Sequence, residues 1–193
     1  PFVWGPIGGL KQFPMDYLHG AGLKMKVFNR LKNFLNIWQL KHDKRVDEAF
    51  GTAKLLISSI PDSYNAIKRC KGLESIVIPE TGCFLSEDIS TDRFDEKEFH
   101  VMWVGKFDFR KQLPLALKVI AMTGNSNIVL DVYGRGSNEQ VPAVKEHAER
   151  LGIKNKVVWH GNQSNDVVMN AMRQAQLFFF TSVSEDTSTV VLE

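Results

Sequence analysis

From Phe99 onward the sequence alternates short apolar, β-branched runs with amphipathic stretches, and this alternation constrains the fold more than any other feature. Each run has the length and composition of a buried strand, and each amphipathic stretch supplies a helix that returns the chain to the same edge of a parallel sheet. The runs are Phe99 to Val104, Asn127 to Tyr133, Lys156 to Trp159 and Leu177 to Thr181. Helical patterns fill the gaps at Leu113 to Met122, Val141 to Leu151 and Val167 to Ala175, and a further helix is expected near Thr187. An earlier set has the same character: Phe2 to Trp4, a long helix from about Met25 to Ala49, Lys54 to Ser58, a helix at Ser63 to Cys70, and Ser75 to Ile78. Between the sets, Glu80, Glu87, Asp88, Asp92, Asp95, Glu96 and Glu98 outnumber Arg93 and Lys97, the composition of a solvated linker.

The expected class is therefore α/β, with two doubly wound parallel-sheet domains at residues 1–82 and 99–193 and an acidic linker at 83–98. The first residues, Pro1-Phe2-Val3-Trp4, include no initiator Met and no charged leader, and the apolar run before Glu193 has no helix stop signal. Both domains are expected to be incomplete.

Composition matters for what it excludes. The 24 basic residues nearly balance 22 acidic ones, for a net charge of +2, so nucleic acid is not an expected partner. Cys70 and Cys83 form no CxxC and have no paired His spacing, which suggests neither a disulfide nor a zinc site and fits a reducing, cytoplasmic compartment. No apolar run approaches the roughly 18 residues of a membrane span. The long helix places Phe28, Leu31, Leu35 and Trp38 on one face, among Lys24, Lys26, Arg30, Lys32, Lys41, Lys44 and Arg45. That pattern has two readings: a core-facing stripe with a solvated back, or peripheral contact of residues 24–45 with an anionic membrane. His19 and His42 lie on polar segments and are read as inert.

Three successive strand ends carry the candidate chemistry. After Phe99 to Val104 comes Gly105-Lys106-Phe107-Asp108-Phe109-Arg110-Lys111, whose Lys106 and Lys111 can neutralise a diphosphate unless they are simply solvated. The next strand ends in Tyr133-Gly134-Arg135-Gly136, a GxG without the third glycine of a dinucleotide fingerprint. The last leads into Ser184-Glu185-Asp186-Thr187-Ser188-Thr189, where Glu185 faces a ligand's hydroxyls or merely caps the next helix. Glu185 and Glu193 are eight positions apart, a rise of about 12 Å if helical. A glycosidase pair needs roughly 5–9.5 Å, so two separate roles are expected.

With these motifs the chain resembles the GT-B glycosyltransferases of family 4, glycosyl transferases group 1. Gly105 to Lys111 is similar to that family's Gly-Arg-x-x-x-x-Lys turn, and Glu185 to Glu193 resembles its E-x7-E motif. Pro79-Glu80-Thr81-Gly82 and Gly5-Pro6-Ile7-Gly8-Gly9 look like loops of its N-terminal domain. The resemblance implies two Rossmann-like domains and transfer of a sugar, with retention, from a nucleotide diphosphate-sugar to a glycan or lipid-linked acceptor. It implies no metal and no other cofactor, work in polysaccharide or glycolipid synthesis, and a place in the cytoplasm or on the inner face of the membrane.

By the same likeness Lys106 and Lys111 stabilise the leaving diphosphate, Glu185 contacts the donor sugar and Glu193 the ribose. Gly105, Tyr133, Gly134, Gly136, Thr187, Ser188 and Thr189 would surround the nucleotide-sugar. Two departures stand out: Lys106 replaces the usual Arg, and Asp186-Thr187 replace Gly and an apolar residue. A dinucleotide-dependent oxidoreductase would need GxGxxG after its first strand, which is missing, whereas a non-catalytic nucleotide-sugar-binding domain remains open.

Overall fold

Each set of apolar runs forms its own parallel sheet in the computed structural model, which describes residues 1–83, 92–188 and 191. The chain divides into two compact units, Pro1–Phe84 with Ser184–Glu193, and Leu85–Val183.

In the first unit, β1 (Phe2–Ile7), β2 (Ala53–Ser58) and β3 (Ile76–Val77) are parallel in the order β1-β2-β3. A 3-10 turn at Met15–Leu18 precedes α1 (Leu23–His42), followed by α2 (Lys44–Thr52) and α3 (Pro61–Lys71). The single long helix expected from the sequence is thus two helices. Asp43 has an extended backbone, and its carboxylate accepts the Arg45 N–H at 2.9 Å, so it ends α1 and caps α2. Leu40, Phe50, Leu56, Ala66 and Ile67 form the core, with the Trp4 and Phe50 rings 4.7 Å apart.

The seating of α1 corrects the core-facing reading of its apolar stripe. Phe28, Phe34 and Trp38 are 62%, 64% and 50% exposed. The inward face carries asparagines instead. Asn33 accepts the Phe13 N–H and donates to the Phe13 carbonyl, both at 2.9 Å, and Asn36 donates to the Gly9 carbonyl at 3.2 Å. The segment from Gly9 to Phe13 forms no ladder, so its backbone groups need side-chain partners, and asparagine supplies both donor and acceptor.

In the second unit, β4 (Phe99–Lys106), β5 (Ile128–Arg135), β6 (Val157–Gly161) and β7 (Leu177–Phe178) are parallel in the order β6-β5-β4-β7. One face packs Val101, Trp103, Leu130 and Val132 against α4 (Leu113–Thr123) and α5 (Gln140–Arg150). The other packs Met102 and Tyr133 against Val168 of α6 (Asn165–Gln174). Short 3-10 turns lie at Asp92–Asp95 and Lys154–Lys156. The last strand is shorter than expected, because Thr181 leaves the ladder to bond the backbone of Lys111. Residues 184–188 are irregular, so the helix expected near Thr187 has not begun by Ser188.

Candidate functional site

The strand order places β4 between β5 and β7, so the chain crosses in opposite directions on either side of it, and a crevice opens at the strands' carboxyl ends. A cleft of about 410 Å³ lies at the carboxyl ends of β4, β5 and β6. Lys106, Arg110 and Lys111 come to it from the turn after β4, Tyr133, Gly134 and Arg135 from the end of β5, and Asn162 and Gln163 from the loop after β6. Four cationic side chains, Lys106, Arg110, Lys111 and Arg135, line the cleft.

Local packing explains the glycines. A Cβ on Gly105 would meet the Lys111 stem at 3.2 Å and the Trp103 ring at 3.1 Å, so the bare backbone lets Lys111 lie across the turn. Gly134 has φ +143, and a Cβ there would run into the Gly105 carbonyl of the neighbouring strand. Gly136 has a different job. It is not among the residues lining the cleft, and a Cβ on it would press on Phe107 at 3.0 Å.

The β4 turn is held from below. The Asp108 carboxylate accepts the Lys111 N–H at 3.1 Å, and Lys111 Nζ lies 5.6 Å from the centre of the Phe180 ring. Thr181 Oγ1 accepts the Trp103 indole N–H at 3.0 Å and donates to the Lys111 carbonyl at 2.7 Å. The Val183 N–H then donates to the Arg110 carbonyl at 2.9 Å. The chain after β7 is thereby fastened to the same turn that carries Lys106 and Lys111. Burial, aided by the charge of Asp131, pushes the Tyr133 phenol above its ordinary range and keeps it neutral.

Of the residues expected to form the site, Gly105, Lys106, Lys111, Tyr133 and Gly134 meet in this cleft. Glu185, Thr187 and Ser188 group with the first unit, where Lys11 Nζ donates to the Glu185 carbonyl at 2.9 Å. Thr189 and Glu193 lie outside the described residues. In the first unit the glycine-rich loop after β1 closes on other strand ends. A Cβ on Gly8 would meet Glu80 Oε1 at 2.6 Å and Ser59 Oγ at 3.2 Å. Sequence reasoning passed over Arg110, Arg135, Asn162 and Gln163, although each ends or follows a strand, as the residues it did select do. Among the described residues no group of three or more His, Cys, Asp or Glu is placed to hold a metal, and no helix is long and apolar enough to cross a membrane.

Residues 86–193 match the family model of glycosyl transferases group 1. No curated protein matches the chain. Among solved structures, it is similar to WaaG, a glycosyltransferase involved in lipopolysaccharide biosynthesis, at 19% identity and a TM-score of 0.60 over 91% of this chain and 50% of that one. It is also similar to HepE of Anabaena in complex with UDP and glucose, at 19% identity and a TM-score of 0.58 over 81% of this chain and 44% of that one. A third is the apo form of the lipopolysaccharide outer core galactosyltransferase WaaB, at 19% identity and a TM-score of 0.55 over 77% and 42%. The chain spans half or less of the length of these proteins, and at such identities the likeness shows the GT-B fold.

Proposed function

The chain belongs to the glycosyl transferases group 1 family, and from that premise we propose that it takes part in transferring a sugar from a nucleotide diphosphate-sugar, with retention, to a glycan or lipid-linked acceptor. The single observation that carries this reading is the cleft of four cations at adjoining strand ends of the second unit. A nucleoside diphosphate offers two phosphoryl groups to such a cleft, and its charge rises as the sugar departs, so Lys106 and Lys111 stabilise the leaving group more than the bound substrate. Asn162, Gln163 and the Tyr133–Arg135 turn provide neutral donors and acceptors for the rest of the nucleotide. Glu185 serves the donor sugar and Glu193 the ribose, and cationic side chains take the charge-neutralising part that a metal plays elsewhere.

Calorimetry with UDP as probe tests the cleft. Lys106→Ala and Lys111→Ala should each weaken UDP binding by about 1.5–3 kcal/mol, the range of charge-assisted hydrogen bonds, and unchanged affinity in both would refute the site. In turnover assays on the full-length protein, Glu193→Gln should raise donor KM while Glu185→Gln lowers kcat. Donor binding with no transfer to any acceptor would point instead to a non-catalytic nucleotide-sugar-binding domain.

The exposed face of α1 supports a second element of this reading, peripheral contact with the inner leaflet. Aromatic side chains stand outward beside Lys24, Lys26, Arg30 and Lys32, and each cation near an anionic surface contributes about 1 kcal/mol. Cosedimentation with anionic vesicles should fall with added salt and with Gln at those four positions. Binding that ignores both, or none at low salt, would remove the membrane from the proposal.

A further inference from the structure

A second cavity, of about 510 Å³, lies on the α6 face of the β4–β7 sheet, and Tyr133 lines it as well as the cationic cleft. Behind Tyr133 is a three-residue polar cluster that the proposed reaction leaves without a role. Asp131 Oδ2 lies 2.7 Å from His100 Nδ1, and Asp131 Oδ1 lies 2.6 Å from His160 Nε2. An ionised carboxylate only accepts, so both facing ring nitrogens carry protons, and each carboxylate oxygen is committed to one imidazole. The Asp131 side chain is 14% exposed and the His100 and His160 side chains 34% and 29%, so the carboxylate is largely covered while the imidazoles face the cavity.

The backbone makes His160 unusual. Along β5 and β6, Val132 is paired with Trp159 but Tyr133 with Gly161, so His160 is an extra residue with no partner across the ladder. A bulge of this kind re-aims a side chain and bends its strand. Here it lays the imidazole flat on the Tyr133 ring, with centroids 4.1 Å apart and planes within 3°. The residues on either side of this stack lead straight into the cleft, as Gly134 and Arg135 follow Tyr133, and Asn162 and Gln163 follow Gly161.

We propose that Asp131 and His160 are positioning residues for the nucleotide cleft: the Asp131 carboxylate fixes the bulged His160, whose ring fixes Tyr133, and together they set the spacing between the β5 and β6 turns. The inference rests on the donor-binding reading above. Neither residue lines the cationic cleft, so any effect on ligand passes through Tyr133 and the bulge.

The test is a double-mutant cycle on the full-length protein, read by UDP calorimetry at a temperature where circular dichroism shows every variant folded. Asp131→Asn keeps the shape but gives one imidazole a donor instead of an acceptor, and it should weaken UDP binding about three- to tenfold. His160→Phe keeps a flat ring but cannot bond Asp131, and in its background Asp131→Asn should change affinity less than about twofold. In turnover the single substitutions should raise donor KM with kcat nearly unchanged. Additive effects, or a lowered melting temperature with native UDP affinity, would overturn the positioning role and leave the cleft standing. Failure of the unaltered protein to bind UDP would overturn the donor reading, and this role with it.

Discussion

Helices α1 and α4 are both amphipathic, and opposite faces seat them. In α4 the apolar residues Leu113, Ala116, Leu117 and Ile120 are buried against the sheet. In α1 Phe28, Leu31, Phe34 and Trp38 stand outward and only Leu40 near its end enters the core, while Asn33 and Asn36 hold the preceding loop. The difference follows from what each helix covers. A sheet face has already satisfied its backbone hydrogen bonds and offers only apolar side chains, whereas an irregular segment still has N–H and C=O groups to pair. Amphipathicity therefore identifies two faces without saying which one the protein buries.

The largest effect should separate the two helices outright. Leu117→Ala removes a fully buried side chain and should cost about 2–5 kcal/mol in urea unfolding, against roughly 0.5 kcal/mol or less for Phe34→Ala on the exposed face of α1. Similar losses would break the comparison. Next, Asn33→Leu adds apolar surface and improves helix propensity, yet it should destabilise by about 1–3 kcal/mol, since the Phe13 N–H and carbonyl lose their partners. A stabilised variant would show that the inward face is not held by those bonds.

Smaller again is the effect of replacing Phe34 and Trp38 together by Ser, which should lower vesicle partitioning about tenfold without moving the melting temperature. A melting shift would mean that the face is covered within the protein. The smallest effect concerns pH. Burial, then Asp131, raises the Tyr133 phenol, so the folded protein keeps that proton to higher pH than the unfolded chain. The stability linked to this group is constant below about pH 10 and declines as pH rises through the folded ionisation. Tyr133→Phe should flatten that alkaline decline, and an unchanged slope would place the titration elsewhere.

The second unit was the more readable. Its strands are short β-branched runs and its helices carry apolar stripes that do face the sheet, so observed and expected bounds agree within a few residues for β4 and α4. β7 ends early because the Thr181 hydroxyl finds the Lys111 carbonyl, a tertiary bond across 70 positions that no local pattern announces. Asp43 carried a readable signal, a cap residue ahead of Lys44-Arg45, but the continuous apolar spacing around it hid the break. The turn bearing Lys106 and Lys111 was visible because cations directly after a buried strand must lie at a sheet edge. The bulge at His160 was not. A one-residue register shift depends on what lies opposite, and Asp131 sits 29 positions away.

Trp103 gives the cleft a built-in optical probe. Its indole is buried, donates its N–H to Thr181, and rests beneath Gly105, where the Lys111 stem crosses. Movement of that turn, whether by an anion drawing Lys106 and Lys111 inward or by release of the Thr181 hydroxyl, changes the polarity and hydrogen bonding around the excited ring. Intrinsic fluorescence should therefore follow occupancy in real time, with the remaining tryptophans replaced by Phe to isolate the signal.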